Sequence, residues 1–332
     1  MKTLGKGGPA VSDIGLGCMG MSDMYGPADE AESIATIHAA LDAGVTLFDT
    51  GDYYGMGNNE MLLRKALGGV KRDQVVLSVK FGAMRDPAGK WLGIDGRPAA
   101  VKNSLAYTLR RLGTEYVDVY RLGRVDPDVP IEDTVGAIKE MIAAGYCRAV
   151  GLSEAGAETV RRAHRVHPVA DLQIEYSLMS RGMEKEILPA CRALGIGITA
   201  YGVLVRGLLS GHWSRERTTA PTDFRSHGPR FSGKNLDHNL RLADELRKTS
   251  EAIGATAAQV AIAWVLSRGG DIVPLVGARR RESLREALGA LQLRLSPDDL
   301  ARIEQAVPAG SAAGDRYPAP LMAGLDSEKE ST

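Results

Sequence analysis

Val45-Thr46-Leu47-Phe48-Asp49-Thr50-Gly51-Asp52-Tyr53-Tyr54-Gly55 is an apolar, β-branched run that stops abruptly in polar side chains. Apolar residues at successive positions suit a strand covered on both faces, as in a parallel sheet. Val75-Val76-Leu77-Ser78-Val79 runs into Lys80 in the same way. Working outward, candidate strands fall at 14–16, 45–49, 75–80, 117–122, 149–153, 171–175, 197–201 and 272–276. Segments of helical spacing lie between them, among them 30–43, 99–112, 131–144 and 182–194. Gly44, Gly113, Gly145 and Gly195 each follow the last periodic residue, which is helix-stop chemistry.

Eight strands alternating with helices predict an α/β fold, a (β/α)8 TIM barrel, whose reactive side chains sit at the C-terminal ends of strands. Gly15-Leu16-Gly17-Cys18-Met19-Gly20 also matches the G-x-G-x-x-G turn of an open doubly wound sheet. No βαβ unit with an acidic residue at the expected distance supports that fold, so these glycines read as a strand-to-loop transition. Residues 2–13 are expected to form a short N-terminal hairpin closing the barrel floor. Residues 206–240 read as a long, Arg-rich loop after the seventh strand, and 309–332 as a mobile tail of one barrel domain spanning 1–332.

The composition narrows the function. The 332 residues hold 41 Lys plus Arg and 41 Asp plus Glu, a balance that argues against nucleic-acid or membrane-surface partners. Cys18, Cys147 and Cys191 are far apart, which suits reduced thiols and a cytoplasmic protein better than a disulfide framework or a metal site. No apolar signal segment or membrane-spanning run is present in the sequence.

A tyrosine, a lysine and an aspartate brought to one barrel mouth have a defined use. The ammonium stabilises a phenolate and the carboxylate holds the ammonium, so the tyrosine pKa is expected below its usual value of about 10. Such a phenol can protonate an alkoxide as hydride reaches a carbonyl carbon. Taken singly, each residue has a plainer explanation: a turn-forming Asp, a packed Tyr, a structurally paired Lys. Their coincidence at successive strand ends favours the chemical one.

The stretch Phe48-Asp49-Thr50-Gly51-Asp52-Tyr53-Tyr54-Gly55 with Asn59-Glu60, and the stretch Leu77-Ser78-Val79-Lys80-Phe81-Gly82, resemble the catalytic segments of the aldo-keto reductases. The similarity runs from about Leu4 to about Gln305. It implies catalytic roles for Asp49, Lys80 and Tyr54, the last chosen over Tyr53 because it lies five residues after Asp49. It implies NADPH/NADP+ as cofactor, bound first, and a small-molecule aldehyde or ketone as substrate. Gly151-Leu152-Ser153-Glu154 and Gln173 resemble the nicotinamide carboxamide contacts, with Glu154 where Asn is usual. Tyr201, in Ala200-Tyr201-Gly202-Val203-Leu204, corresponds to the aromatic that stacks on the nicotinamide, and Gly202 and Leu204 continue that segment. Pro274-Leu275-Val276-Gly277-Ala278-Arg279-Arg280-Arg281 resembles the adenosine-phosphate segment, so Gly277, Arg279 and Arg280 are candidates for the 2′-phosphate region. Glu286 corresponds to an adenine contact, whereas its usual Asn neighbour is Ala287.

One member of the family's site is replaced. In Asp118-Val119-Tyr120-Arg121-Leu122-Gly123-Arg124-Val125-Asp126-Pro127, Gly123 stands where the resemblance implies a catalytic histidine that donates to the substrate carbonyl. His38, His164 and His167 fall on helical segments remote from the strand ends, while His212, His227 and His238 belong to the long loop region. Losing one oriented donor costs about 10²–10³-fold in rate, which predicts a weakened or substrate-restricted reductase. Tyr25, Tyr53, Met56, Phe81, Trp91, Trp213 and Phe224 are candidates for an apolar substrate pocket, and equally for packing. Two other functions remain open: an NADP(H)-binding regulatory or sensor subunit with little turnover, and a Schiff-base barrel aldolase using Lys80.

Overall fold

The computed structural model describes every residue except Asp23, Thr218, Pro221, Thr222 and residues 330–332. Parts of the 206–240 region and the last residues of the expected tail therefore lie outside the described residues.

Eight parallel strands close a barrel: β1 (Gly15–Gly17), β2 (Leu47–Gly51), β3 (Val76–Phe81), β4 (Val117–Leu122), β5 (Cys147–Ser153), β6 (Val169–Glu175), β7 (Gly197–Tyr201) and β8 (Ile272–Val276). They pair in sequence order, with β8 returning to β1. This is the (β/α)8 TIM barrel expected from the alternation of apolar runs and helical segments.

Helices α1 (Glu30–Asp42), α2 (Asn58–Leu67), α3 (Pro98–Leu112), α4 (Ile131–Ala143), α5 (Ala157–Val166) and α6 (Ile187–Leu194) separate the first seven strands. Between β7 and β8 lie α7 (Gly233–Ile253) and α8 (Ala257–Ser267), followed after β8 by α9 (Arg281–Gly289) and α10 (Pro297–Ala306). Local chemistry sets the helix ends. Asp29 Oδ1 accepts from the Glu32 amide at 2.7 Å at the start of α1, and Thr256 with Gln259 forms a capping box on α8. Gly113 and Gly195 end α3 and α6 in left-handed conformations, at φ 67° and 70°.

Three expectations are corrected. The helical spacing over 182–194 splits into a 3-10 turn at Gly182–Glu184 and α6, because the chain leaves helical geometry at Glu186 (φ −131°). The 206–240 region is not loop throughout: it contains short 3-10 turns, and α7 already begins at Gly233. The described part of the tail is docked rather than loose. Arg316, Tyr317 and Leu325 are buried, and the Gly156 amide donates to Asp326 Oδ2 at 2.8 Å.

The barrel interior is graded from floor to mouth. Lys2–Thr3 pairs with Ala10–Val11, as the expected hairpin, and places Leu4 and Val11 against Leu47, Val76, Val119, Ala149, Val273 and Leu275. Burial of each such leucine or valine stabilises the fold by about 1.5–3 kcal/mol. Two residues further along β2, β3 and β4 the inward positions become polar, because side chains repeat with period two. Asp49, Ser78, Arg121, Asp171, Gln173 and Thr199 fill that layer, all buried. The outer faces of the strands pack on the helices through residues such as Phe48, Leu77, Tyr120, Leu122 and Leu152.

Candidate active site

The polar layer is built around Asp49. Its carboxylate accepts from Lys80 Nζ, from the Ser78 hydroxyl at 2.9 Å, from Arg121 Nη1 at 3.0 Å and from Gln173 Nε2 at 2.9 Å. The strand register puts Asp49 beside Ser78, and Lys80 beside Arg121, so these contacts follow from neighbouring strands sharing an inward face. Burial alone would raise the Asp49 pKa, but Lys80 and Arg121 hold the carboxyl below the usual carboxylate range.

Arg121 was not anticipated as part of the site. It is fully buried, and its second nitrogen donates to Asp171, which also accepts from the Thr199 hydroxyl. Gly151 makes this reach feasible. A Cβ there would lie 3.1 Å from both Arg121 Nε and Asp171 Oδ1 and 2.8 Å from Val119. Asp49, Asp171, Lys80 and Arg121 form a charge-balanced buried quartet, the condition under which buried ions are tolerated. A charged residue inside an apolar run was the available signal, at Arg121 within β4 and Asp171 within β6.

Tyr54 stands just past β2, buried at 5% exposure, with Lys80 Nζ 5.2 Å from its ring centroid. Asp49, Lys80 and Tyr54 are thus brought together as expected. The expected lowering of the phenol pKa is not found. Burial pushes Tyr54 well above its usual value, with Tyr53 and Asp49 adding to the shift. Burial also lowers the Lys80 pKa, against the opposing pull of Asp49. Tyr54 is therefore held as a protonated donor.

Around the mouth, Ser153 Oγ accepts from Arg124 Nη1 at 3.2 Å, and Arg124 also donates to the Gly123 carbonyl at 2.6 Å. Glu154 is buried in left-handed backbone (φ 52°), and its carboxylate receives both Arg316 nitrogens, at 3.0 and 2.8 Å. Burial would raise the Glu154 pKa, but Arg316 and Arg124 hold it down to about 2. Tyr201 donates to Glu154 Oε1 at 2.7 Å and shares a 2.8 Å hydrogen bond with Tyr317. Arg316 and Tyr317 come from beyond α10, and no local motif marked them. Gly202 (φ 67°) and Leu204 continue from β7 over this cluster, where Arg206 pairs with Glu175 at 3.1 Å and lies 4.6 Å from the Tyr317 ring centroid.

The candidates of the adenosine-phosphate segment gather after β8. Gly277 is exposed, and a Cβ there would meet only the Gly17 carbonyl oxygen, at 4.0 Å. Arg279 donates to the carbonyls of Tyr25, Gly26 and Pro27, between 3.1 and 3.3 Å. Arg280 is exposed and makes no ion pair among the described residues. Burial and the neighbouring guanidiniums of Arg225, Arg280 and Arg217 lower the Arg279 pKa. Glu286 faces His212 Nε2 at 3.5 Å, and Ala287 is buried.

The pocket candidates scatter. Phe81 is buried and stacks on Tyr120 with ring centroids 4.2 Å apart, so it packs outside the barrel lumen. Trp91 is on a hairpin of Ala83–Arg85 with Trp91–Ile94 and is 39% exposed. Trp213 packs on Phe231 and under Arg217 and Arg225, whereas Tyr25 lies under Arg225. Met56 is exposed, and Phe224 meets Tyr317 edge-on. Among them, Tyr53 lies directly against Gly123.

A model of the aldo/keto reductase family matches residues 13–308. The chain is 42% identical over 315 residues to a probable aldo-keto reductase 1 of Glycine max, covering 95% of this chain and 90% of that protein. The chain belongs to the aldo/keto reductase family. Among solved structures, a glycerol dehydrogenase of Gluconobacter oxydans superposes with TM-score 0.83 at 28% identity, covering 100% of this chain and 98% of that one. An aldo-keto reductase of Bacillus halodurans, solved in holo form, superposes with TM-score 0.75 at 25% identity, covering 92% of this chain and 95% of that one. Family and fold support oxidoreductase activity on a small carbonyl compound with a nicotinamide cofactor. No helix of the described residues is long and apolar enough to cross a membrane.

Proposed function

We propose that this aldo/keto reductase is a cytoplasmic, NADPH-dependent enzyme that reduces an aldehyde or ketone to an alcohol, with Tyr54 as general acid. The observation that carries the reading is the meeting of Asp49, Lys80 and Tyr54 at the ends of β2 and β3, with the phenol buried and protonated.

The cofactor fits the residues present. A Cβ at exposed Gly277 would meet nothing nearer than 4.0 Å, so a ligand can approach its backbone, and Arg217, Arg225, Arg279 and Arg280 concentrate positive charge that a phosphate dianion would relieve. Ser153, Glu154, Gln173, Tyr201, Gly202 and Leu204 would frame the nicotinamide end, although Glu154 already bonds Arg316, and Gln173 already bonds Asp49. Gly277, Arg279, Arg280 and Glu286 would hold the adenosine end. When bound, the nicotinamide supplies the hydride. The Tyr54 hydroxyl gives its proton to the carbonyl oxygen as negative charge develops there. Lys80, fixed by Asp49, stabilises the phenolate left behind.

The Schiff-base alternative is disfavoured by Lys80 itself, which is 3% exposed and tied to Asp49. A binding subunit with little turnover differs in one measurable respect. NADPH consumption is followed over a panel of aldehydes and ketones for the wild-type protein and Tyr54→Phe. The expected result is multiple turnover by the wild type and a fall of about 10²–10⁴-fold in kcat for the variant, with unchanged NADPH affinity. Equal rates would remove Tyr54 from the acid role, and single turnover by the wild type would favour the binding subunit.

A further inference from the structure

The position left by Gly123 is not vacant. An ideal Cβ on this glycine would lie 3.5 Å from both Cε1 and the hydroxyl oxygen of Tyr53, and 3.1 Å from the Phe81 carbonyl oxygen. A Cβ at 123 would thus sit in van der Waals contact with the Tyr53 phenol, and a longer side chain directed that way would meet its ring. Gly51 supports it from the other side: a Cβ there would lie 3.3 Å from Tyr53 Cε1 and 3.4 Å from Tyr54 Cζ. Gly51, the last residue of β2, and Gly123, just past β4, thus make room for two adjacent phenols. Their rings meet edge-on, with centroids 4.8 Å apart and planes at 77°, which sets the two phenols side by side.

We propose that Tyr53 is a second catalytic donor, its hydroxyl binding the substrate carbonyl oxygen beside Tyr54 in place of the side chain absent at 123. The proposal rests on the carbonyl-reductase reading of the same site. Two phenols set side by side can direct both hydroxyls at one further oxygen, and a carbonyl oxygen has two lone pairs to accept them. As hydride adds to the carbonyl carbon, the C–O π pair moves onto oxygen, and the Tyr54 proton joins it to give the alcohol. Tyr53 keeps its proton throughout and then donates to the Tyr54 phenolate until that group is reprotonated from solvent. Burial pushes the Tyr53 phenol up to about 12, against the opposing influence of Arg124, so it remains a donor across the neutral range. An imidazole in this role would titrate near neutrality, with a reference pKa of about 6.5.

The test uses the full chain and four proteins: wild type, Tyr53→Phe, Gly123→His and Tyr53→Ala/Gly123→His. Steady-state reduction of an aldehyde panel is read with its pH profile, and NADPH affinity is measured by fluorescence titration. Tyr53→Phe keeps the ring and loses only the donor, so kcat should fall about 10²-fold with NADPH affinity unchanged. Gly123→His alone should also lose activity, because its imidazole meets the Tyr53 ring. The double variant should recover at least tenfold over Tyr53→Phe and gain an ionisation between about pH 6 and 7 that the wild type lacks. That added limb is a signature that a merely structural role for Tyr53 would not produce. Tyr53→Phe turning over within about threefold of a working wild type overturns the assignment, since a lost donor costs far more. A wild type that binds NADPH but reduces nothing overturns the reductase reading, and this proposal with it.

Discussion

Arg121→Met tests whether the buried quartet holds the upper barrel together. Arg121 is 0% exposed, and its guanidinium spans Asp49 and Asp171 with the Ser78 hydroxyl between. Methionine approximates the stem and removes the charge, leaving two carboxylates against Lys80 alone. Gross attraction between unit charges at 3.0 Å is about 5 kcal/mol at an effective dielectric of about 20, and desolvation offsets much of it. Breaking a buried pair by removing one partner costs about 3–5 kcal/mol, because the remaining charge is stranded.

The loss should depend on pH. In the wild type, Asp49 titrates below its unfolded value, so its contribution is present above the usual carboxylate range and fades as pH falls through it. In the variant, the stranded carboxylates relieve themselves by binding a proton, so the native state holds more protons than the unfolded chain. Variant stability then falls as pH rises, by up to about 1.4 kcal/mol per pH unit. Urea unfolding followed by circular dichroism should therefore show a larger difference from wild type at about pH 8 than at about pH 5. Adding Asp171→Asn restores neutrality and should recover at least half the loss. A deficit below about 1 kcal/mol, equal at both pH values, would refute the argument, since that is the size of an exposed ion pair.

Asp52→Asn should stabilise the protein at high pH. Burial, reinforced by Glu60, raises the Asp52 carboxyl to about 7, and its Oδ1 has no hydrogen-bond partner among the described residues. The native state therefore binds the proton more tightly, and stability is lost as pH climbs from the unfolded carboxylate value of about 4 to about 7. The variant should gain about 1–3 kcal/mol above that window and little below it, read from urea midpoints. Arg280→Gln should weaken NADPH binding about tenfold and leave NADH binding unchanged, by fluorescence titration; equal losses for both would place Arg280 off the 2′-phosphate. Arg316→Ala strands Glu154 and should free the chain end, seen as proteolytic cleavage beyond residue 310 at a protease level that spares the wild type. Cys18, Cys147 and Cys191 are buried, and burial raises all three thiols, so native protein should resist a thiol reagent that labels unfolded protein at once.

The sequence made the barrel legible because its strands are buried on both faces and its helices carry stop glycines, signals that need only neighbouring residues. Asp49 and Lys80 were legible for a related reason, as polar groups ending apolar runs. Arg121 and Asp171 carry the same signal inside their runs, yet a charge in mid-strand reads as an exception until the barrel closes and places both on one inward face. Arg316 and Tyr317 had no signal. They lie in a segment whose Gly, Ala and Pro content reads as a mobile tail, and their partners Glu154 and Tyr201 are 162 and 116 positions away. Sequence shows which charges lie near Tyr54 but not how deeply its ring is buried, and burial sets the direction of its shift.

Gly123 is the residue whose meaning changes most between sequence and structure. Along the chain it reads as a deletion from the site, a donor lost with nothing in exchange. In the fold it is one side of a fitted contact, with Tyr53 against one face and the Phe81 carbonyl against another. Close-packed interiors do not tolerate independent changes of volume at touching positions. A glycine at 123 and a tyrosine at 53 are therefore a single structural feature, and substitution at either position acts on both. Gly123→His alone cannot be read as restoring a missing group, because an imidazole at 123 would lie against the Tyr53 phenol. The catalytic consequence of the glycine must be measured at Tyr53.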